Sequence, residues 1–319
     1  MKGVRFWGTR GSLPVSLTAD DLRRRLVTAV TRASGKTFTT KPEVEAFVDD
    51  LGFAIAGTYG GRTSCVELMP GGDEFVLCDL GSGVRSFGRA VFERHGSINP
   101  HVYHVFLSHA HWDHIMGLPF FAPAFVPGNR IHIYGGHPDL EAALRRQQEP
   151  PSYPVDFASM RADFDFVHLE PERRYEIAGM AVTALRQPHP GDSYGYRFES
   201  GGRSVVYSTD SAHDPSDTDA ASLFVEFFRD ADLVIFDAMY SLAEETSTDS
   251  DWGHSNNIAG VELCQAAGVR HLCLFHHKPD ADDTTLANML DETRQLEELT
   301  RSGQALQISV AYDGLTIPL

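Results

Sequence analysis

Cysteine, long apolar runs and positive charge are all scarce in this sequence. Only 4 of its 319 residues are cysteine, and none of the four has the close spacing of a cysteine zinc site or a disulfide framework. We therefore expect buried free thiols. No apolar run approaches the roughly 20 residues of a membrane helix, and the first residues lead into an expected strand rather than a leader peptide. The expected location is the cytoplasm, with no membrane partner.

The shortage of basic residues bears on the choice of partner. The chain has 27 lysines and arginines against 44 acidic residues, a net charge of -17. Such a protein has no general attraction for a polyanion and would need a local basic patch to hold one. The charge therefore disfavours an extended nucleic acid as partner.

Metal-ligating side chains are concentrated in one short segment. His109, His111, Asp113 and His114 follow the strand-like residues 101–107 and precede an apolar stretch that glycine and proline interrupt. On a strand-to-helix turn, His109 and His111 can point to one metal ion while Asp113 and His114 point to another. Imidazole and carboxylate together suit zinc, manganese or iron. The alternative is a histidine-rich surface turn, which four such groups at this spacing disfavour.

Further ligands are expected later in the chain. His189, Asp210 and His276 each follow a strand-like run. The carboxyl ends of strands are where α/β folds gather their chemistry. We therefore expect these side chains to join the histidine segment, with Asp210 able to bridge two cations.

With these motifs the sequence resembles the metallo-β-lactamase superfamily over nearly its whole length. The matching segments also include residues 6–12, 60–67, 79–83 and 274–279. The resemblance implies an α/β fold, a four-layer αββα sandwich, with two divalent metal ions, zinc by default. It also implies that Asp79 braces the histidine loop without binding metal. The implied ligands are His109, His111 and His189 for one ion, Asp113, His114 and His276 for the other, and Asp210 as the bridge.

A second motif narrows the subfamily. Residues 253–256, Gly-His-Ser-Asn, resemble the Gly-His-Ser-Thr segment of RNase Z and its phosphodiesterase relatives, in which the histidine helps to protonate the leaving oxygen. Asn256 here replaces the threonine. The structural alternative is that His254 only caps a helix together with Ser255. If His254 is a catalytic acid, Glu245 or Asp251 is expected to orient it.

The expected function combines these elements. Two bound cations would supply hydroxide at neutral pH, and His254 would act as general acid for an alkoxide leaving group. We predict a phosphodiesterase for a small phosphodiester such as a cyclic nucleotide or a cyclic ribose phosphate, with His254, Asp113 and Asp210 catalytic. Only 21 positions separate His189 from Asp210, which leaves no room for the exosite arm of RNase Z. An RNase Z-like tRNA 3′ endonuclease, a lactonase or thioesterase, and a non-catalytic metal- or nucleotide-binding sensor stay open as alternatives.

The expected ligands draw on both halves of the chain, so we predict one domain over residues 1–319 with a helical insertion at about 16–57. In the insertion, Leu22, Leu26 and Val30 share a helix face, and a second helix is expected over residues 42–51. The arginines at 23–25 are expected to form a solvated face; a lid or a homodimer contact is the alternative.

Several residues near the motifs are weaker candidates. An aromatic set, Trp112, Phe120, Phe121 and Phe125, could wall a base-stacking pocket, although such a set beside a site more often packs in the core or at the rim. The candidate substrate-binding residues are Arg10, Ser12, Arg62, Ser64, His213 and His277. Turn stabilisation is an equal alternative for the first four, and a structural role is the favoured interpretation for His213 and His277.

Overall fold

Two mixed β-sheets organise the chain in a computed structural model that describes residues 1–213, 217–241 and 252–319. The first sheet has the strand order β14-β1-β2-β3-β4-β5-β6. Its pairings are antiparallel from β14 to β3 and parallel from β3 to β6. Its strands are β1 Gly3–Gly8, β2 Cys65–Met69, β3 Phe75–Cys78, β4 Val102–Phe106, β5 Arg130–Gly135, β6 Asp163–His168 and β14 Thr316–Pro318.

The second sheet repeats this plan in the order β13-β12-β11-β10-β9-β8-β7. Here β13, β12, β11 and β10 are parallel neighbours, and β10 to β7 are antiparallel. Its strands are β7 Arg174–Ile177, β8 Met180–Gln187, β9 Ser193–Ser200, β10 Arg203–Ser208, β11 Leu233–Asp237, β12 His271–Phe275 and β13 Gln307–Val310.

The two sheets pack face to face. Phe6 and Phe106 of the first sheet and Tyr196 and Phe275 of the second are fully buried in one shared core. The rings of Phe6 and Phe275 meet with centroids 6.0 Å apart. Alternating apolar side chains on these strands therefore supply the middle of the molecule.

Helices cover both outer faces and give the expected αββα order. A second core joins the first sheet to the buried side of α4, and a third joins the second sheet to α7, α8 and α9. The predicted fold is confirmed. Within the described residues, the helices outside the insertion are α4 Val84–His95, α5 Trp112–Ile115, α6 Leu140–Arg146, α7 Thr218–Phe228, α8 Asn257–Ala266 and α9 Asp283–Thr300, with 3₁₀ turns at Leu118–Phe120, Ala122–Phe125 and Phe157–Ser159.

The segment expected to be a helical insertion contains α1 Ala19–Ala33, α2 Lys41–Asp49 and α3 Phe53–Ala56. Thr18 and Asp21 form the capping box that starts α1. One member of the arginine cluster departs from the expected solvated face. Arg25 is mostly buried and pairs with the carboxylate of Asp283 at the start of α9. The side chain of Arg25 therefore fastens α1 to the sandwich.

Two smaller expectations also have outcomes in this fold. All four cysteines are buried and free, as predicted. Among the helices of the described residues, none combines the length and the apolar character that crossing a bilayer requires.

Candidate metal centre

The candidate ligands meet at one edge of the sandwich because each follows the carboxyl end of a strand. Strands β3, β10 and β12 run directly or almost directly into Asp79, Asp210 and His276. These three residues have positive φ values of 61°, 50° and 60°. Such values are uncommon for residues other than glycine, although Asp and His tolerate them better than most, and they cluster at functional sites. The turns direct the side chains across the end of both sheets.

Three imidazoles form the first half of the centre. One ring nitrogen each from His109, His111 and His189 lies within 4.8 Å of the other two. His189 Nε2 is 3.2 Å from His111 Nδ1, and the His189 Nδ1–H donates to the carbonyl of Gly253 at 2.7 Å. That hydrogen bond leaves the Nε2 lone pair of His189 facing the cluster.

The second half contains Asp113, His114, Asp210 and His276, all buried. Asp210 Oδ2 lies 3.2 Å from the Nε2 atoms of both His114 and His276. Its other oxygen, Oδ1, lies 3.7 Å from the Nε2 atoms of His109 and His189. The two oxygens of Asp210 therefore face different halves, as a bridging carboxylate requires.

The residues present fit divalent cations. Among the described residues, His109 Nε2 is buried without a hydrogen-bond partner. Burial, aided by the charge of His114, holds the pKa of His109 well below its ordinary value. Burial also acts to lower the pKa of His114, yet Asp113 and Asp210 raise it well above the ordinary value. Buried carboxylates thus demand positive charge here, and a neutral imidazole offers a lone pair.

Asp79 has the position that the bracing role requires. Its Oδ2 accepts hydrogen bonds from His114 Nδ1 at 2.7 Å, from Ser108 Oγ at 2.8 Å and from Tyr207 Oη at 2.7 Å. Its Oδ1 accepts from the Ser108 amide at 2.8 Å. The contacts fix the tautomer of His114 so that Nε2 faces the cluster. Sequence reasoning did not single out Tyr207.

His254 lies beside both halves of the centre. Its ring centroid is 5.1 Å from that of His189 and 5.0 Å from that of His276. Its Nδ1 is 2.8 Å from Asp237 Oδ2. Burial alone would lower the pKa of His254, but the charge and hydrogen bond of Asp237 raise it to about 9.

Asp237 is the orienting acid that sequence reasoning missed. It is fully buried, and the amides of Ser211 and Met239 each donate to it at 3.2 Å. The other acids considered, Glu245 and Asp251, lie outside the described residues. Asp237 does carry a signal in the sequence, because it ends an apolar strand, β11, just as Asp210 follows β10.

The capping alternative for His254 does not match the structure. The N-cap of α8 is Asn256, whose Oδ1 accepts from the Ala259 amide at 2.8 Å. Ser255 Oγ instead bonds to the carbonyl of Ser211 and the amide of His213. The Asn256 substitution thus preserves a helix cap, and His254 is left to face the cluster.

The six candidate substrate residues separate clearly. A cavity of about 380 Å³ lies over the cluster. Among the described residues that line it, Ser12 is the only one of the six candidates. The Ser12 amide donates to Asp113 Oδ2 at 2.8 Å. Ser64 is buried. Arg62 Nη1 lies 3.7 Å from Asp313 Oδ2. The ring of His213 packs on Phe224 and Phe236.

For Arg10 and His277 the substrate-contact expectation is corrected. Both side chains are buried and point into the fold. Arg10 donates to the carbonyls of Gly60, Lys278 and Ala281 at 2.7 to 3.0 Å. His277 Nε2 bonds to the carbonyl of Ala311 at 2.8 Å. Their polar atoms thus hold loops together.

Comparison with known proteins agrees with this geometry. A family model described as "Beta-lactamase superfamily domain" matches residues 75–277. The fold and the buried His/Asp cluster define a metallo-hydrolase architecture, and the chain belongs to the metallo-β-lactamase superfamily.

Two sequence relatives and one further solved structure of similar fold show the range of the likeness. "Probable metallo-hydrolase YhfI" of Bacillus subtilis is 27% identical over 236 residues, covering 70% of this chain and 85% of that protein; its crystal structure superposes with a TM-score of 0.65 at 18% identity, over 100% and 99% of the two chains. "Ribonuclease Z" of Thermoplasma acidophilum is 20% identical over 309 residues, covering 80% and 94%. A diphosphatase of the PhnP family superposes with a TM-score of 0.59 at 18% identity, over 100% and 98%.

Proposed function

We propose that this protein is a dinuclear metal-dependent phosphodiesterase that acts on a small phosphodiester, such as a cyclic nucleotide or a cyclic ribose phosphate. The observation that carries the proposal is His254, which Asp237 holds at 2.8 Å beside both halves of the metal cluster. A hydrolase that cleaves a poor alkoxide leaving group needs such an acid. Superfamily membership and the metallo-hydrolase relative support the reaction class.

We propose that the residues of the cluster bind two divalent cations. Zinc is the default, and manganese or iron would suit the same donors. A bound pair of divalent cations would supply hydroxide at neutral pH and would neutralise charge on the phosphoryl oxygens. The ligands would be His109, His111 and His189 for one ion, Asp113, His114 and His276 for the other, and Asp210 between them.

The chain itself supplies orientation and the proton. Because Asp237 occupies Nδ1 of His254, the Nε2 atom is the one left to donate a proton to the leaving oxygen. Asp113 and Asp210 provide the buried negative charge that would hold the cations. Ser12 and Trp252 line the same cavity as His254, which confines the substrate next to the proton donor.

The surroundings of the cluster favour a small substrate. Its cavity measures about 380 Å³, near the lower end of small-molecule sites. Between His189 and Asp210 the chain forms only the β9–β10 hairpin, closed by Gly201 and Gly202. The RNase Z-type arm that the resemblance implies for a tRNA enzyme therefore has no counterpart there. A net charge of -17 also disfavours a polyanionic substrate.

The test compares two leaving groups in zinc-reconstituted protein. We expect the wild type to hydrolyse 3′,5′- or 2′,3′-cyclic nucleotides and His254→Ala to lower kcat by about 100- to 10,000-fold. The kcat of His254→Ala on bis(p-nitrophenyl) phosphate should fall far less, because p-nitrophenolate leaves without needing a proton. His111→Ala should abolish both activities.

Other outcomes would select the alternatives. Cleavage of a precursor tRNA at ordinary salt would favour the RNase Z-like reading, for which a curated relative exists. Turnover of a lactone or a thioester that does not depend on His254 would favour a different hydrolase. Stoichiometric binding of nucleotide by zinc-loaded protein without any product would indicate a sensor.

A further inference from the structure

A second and larger cavity adjoins the histidine loop. It measures about 840 Å³, and its lining includes Ala110 and Trp112, which alternate along the loop with the ligands His109, His111 and Asp113. Pro14, two residues after Ser12 of the metal cavity, also lines it. Neighbouring residues of the same two chain segments, 12–14 and 110–113, therefore line the two cavities. The volume is within the usual range of small-molecule sites, about 300 to 1,000 Å³.

The wall of this cavity contains exposed aromatic rings. Trp112 is 76% exposed and Phe120 is 54% exposed, whereas Phe121, from the same set of aromatic residues, is fully buried in the core. Tyr153 packs edge-on against Phe120 with centroids 5.9 Å apart. Large aromatic faces left open beside a site indicate a ligand that covers them.

The charge of the lining is opposite to that of the protein. Arg85 and Arg146 line the cavity and no carboxylate does so among the described residues, although the chain has 44 acids and 27 basic residues. Neither guanidinium forms an ion pair within the described parts of the chain. Arginines nearby on the same two helices do form ion pairs. Arg89 pairs with Glu93 at 2.8 Å, and Arg145 pairs with Glu141 at 2.7 Å.

Another cavity shows that this charge pattern is not a general feature of the surface. The space of about 950 Å³ between the insertion and residues 279–284 is lined by four arginines and five aspartates. Its positive charge is matched locally. The lining with Arg85 and Arg146 therefore has unmatched guanidinium groups, which the acceptor atoms and π faces of a ligand would complement.

We propose that the 840 Å³ cavity binds the nucleobase of the substrate, and hence that the substrate is a nucleotide rather than a cyclic ribose phosphate without a base. The base stacks on Trp112 and Phe120. Arg85 and Arg146 offer guanidinium planes and donors to the base and to anionic oxygens near it. This inference rests on the proposed function for the reaction at the cluster and extends it to substrate recognition.

The test measures binding by calorimetry, with 5′-AMP and ribose 5-phosphate as probes of zinc-loaded protein. The two probes share a phosphate and differ in the base. We expect the wild type to bind 5′-AMP at least about tenfold more tightly, as one base stacked on an aromatic ring provides. Trp112→Leu and Arg85→Gln should remove most of that preference. Trp112→Phe should retain it, because it keeps an aromatic face.

Arg89→Gln is the matched control, since Arg89 lies on the same helix, α4, outside the cavity and paired with Glu93. It should bind both probes as the wild type does. Equal binding of the two probes by the wild type would overturn the inference, and so would a preference that survives both Trp112→Leu and Arg85→Gln. Product binding needs no turnover, so failure to hydrolyse cyclic nucleotides would count against the proposed function alone.

Discussion

At the scale of single residues, the position of His254 depends on one buried carboxylate. Asp237 accepts from its Nδ1 and is itself held by two backbone amides. We predict that Asp237→Asn lowers kcat on a cyclic nucleotide by about 10- to 100-fold, because the partner that orients the imidazole is lost. The KM for the cyclic nucleotide should change little, and kcat on bis(p-nitrophenyl) phosphate should fall less than kcat on the cyclic nucleotide. Steady-state kinetics with both substrates tests this.

The zinc content of Asp237→Asn distinguishes whether the Asp237 carboxylate positions His254 or supports the candidate ligand His276. Asp237 Oδ1 also lies 3.9 Å from His276 Nδ1. If Asp237→Asn loses zinc and both activities fall together, the carboxylate acts through the ligand His276 and the positioning of His254 is not its main role.

Gly11, next to the cluster, has no space for a side chain. A Cβ atom added at Gly11 would lie 2.5 Å from His276 Cε1 and 2.6 Å from its Nδ1, far inside van der Waals contact. We predict that Gly11→Ala displaces the His276 ring and lowers activity by about 100-fold, since small misplacements at a reacting centre are that costly. Gly72→Ala meets no atom within 4 Å and should leave activity unchanged. Normal activity in Gly11→Ala would show that the ring can move without consequence.

At the scale of elements, the strand ends explain both the predicted and the missed site residues. Asp210 and His276 were predicted because apolar strands lead into them. Asp237 ends an equally apolar strand, β11, but it has no neighbouring histidine in sequence to draw attention to it. Its partner His254 comes from a segment 17 positions later. Only the parallel pairing of β10, β11 and β12 makes these strand ends neighbours.

The same strands contain a histidine that links stability to pH. His271 is buried at the start of β12, with Nε2 2.8 Å from Ser309 Oγ, and burial lowers its pKa from 6.5 to about 4. Its neutral form is favoured in the folded state, so the stability it contributes is full above pH 6.5 and is lost as the pH falls toward 4. Between pH 7 and pH 5 the loss should be about 2 kcal/mol.

Urea unfolding at the two pH values tests this expectation. His271→Gln keeps a polar side chain but does not titrate. Its free energy of unfolding should therefore fall by about 2 kcal/mol less than that of the wild type between pH 7 and pH 5. The value at pH 7 shows the cost of the substitution itself. Equal falls in both proteins would mean that His271 titrates alike in the folded and unfolded chains.

At the scale of the whole molecule, the metal centre joins the two sheets. Its candidate ligands follow β4 of the first sheet and β8, β10 and β12 of the second. Cations bound there stabilise the folded state by mass action. We predict that saturating zinc raises the Tm of chelator-treated protein by about 5 to 15 °C, measured by calorimetry. Asp210→Asn should respond much less, and an unchanged wild-type Tm would contradict metal binding at this cluster.

The sequence by itself indicated the fold, because the histidine motif and the surrounding loop segments, all local stretches of chain, resemble those of the metallo-β-lactamase superfamily. It also named the members of the cluster, since each ligand follows a recognisable strand. Substrate contacts were less well predicted. Arg10 and His277 stand in motif loops, but tertiary packing turns their polar atoms toward backbone carbonyls.

Only the tertiary structure determined which side chains contact one another. The contact of Asp237 with His254, the support of Asp79 by Tyr207, and the separation of exposed Trp112 and Phe120 from buried Phe121 all depend on how distant segments meet. A local pattern specifies which face of a strand or helix is apolar. It does not specify which other segment covers that face, and burial, hydrogen-bond partners and charge surroundings are set by that packing.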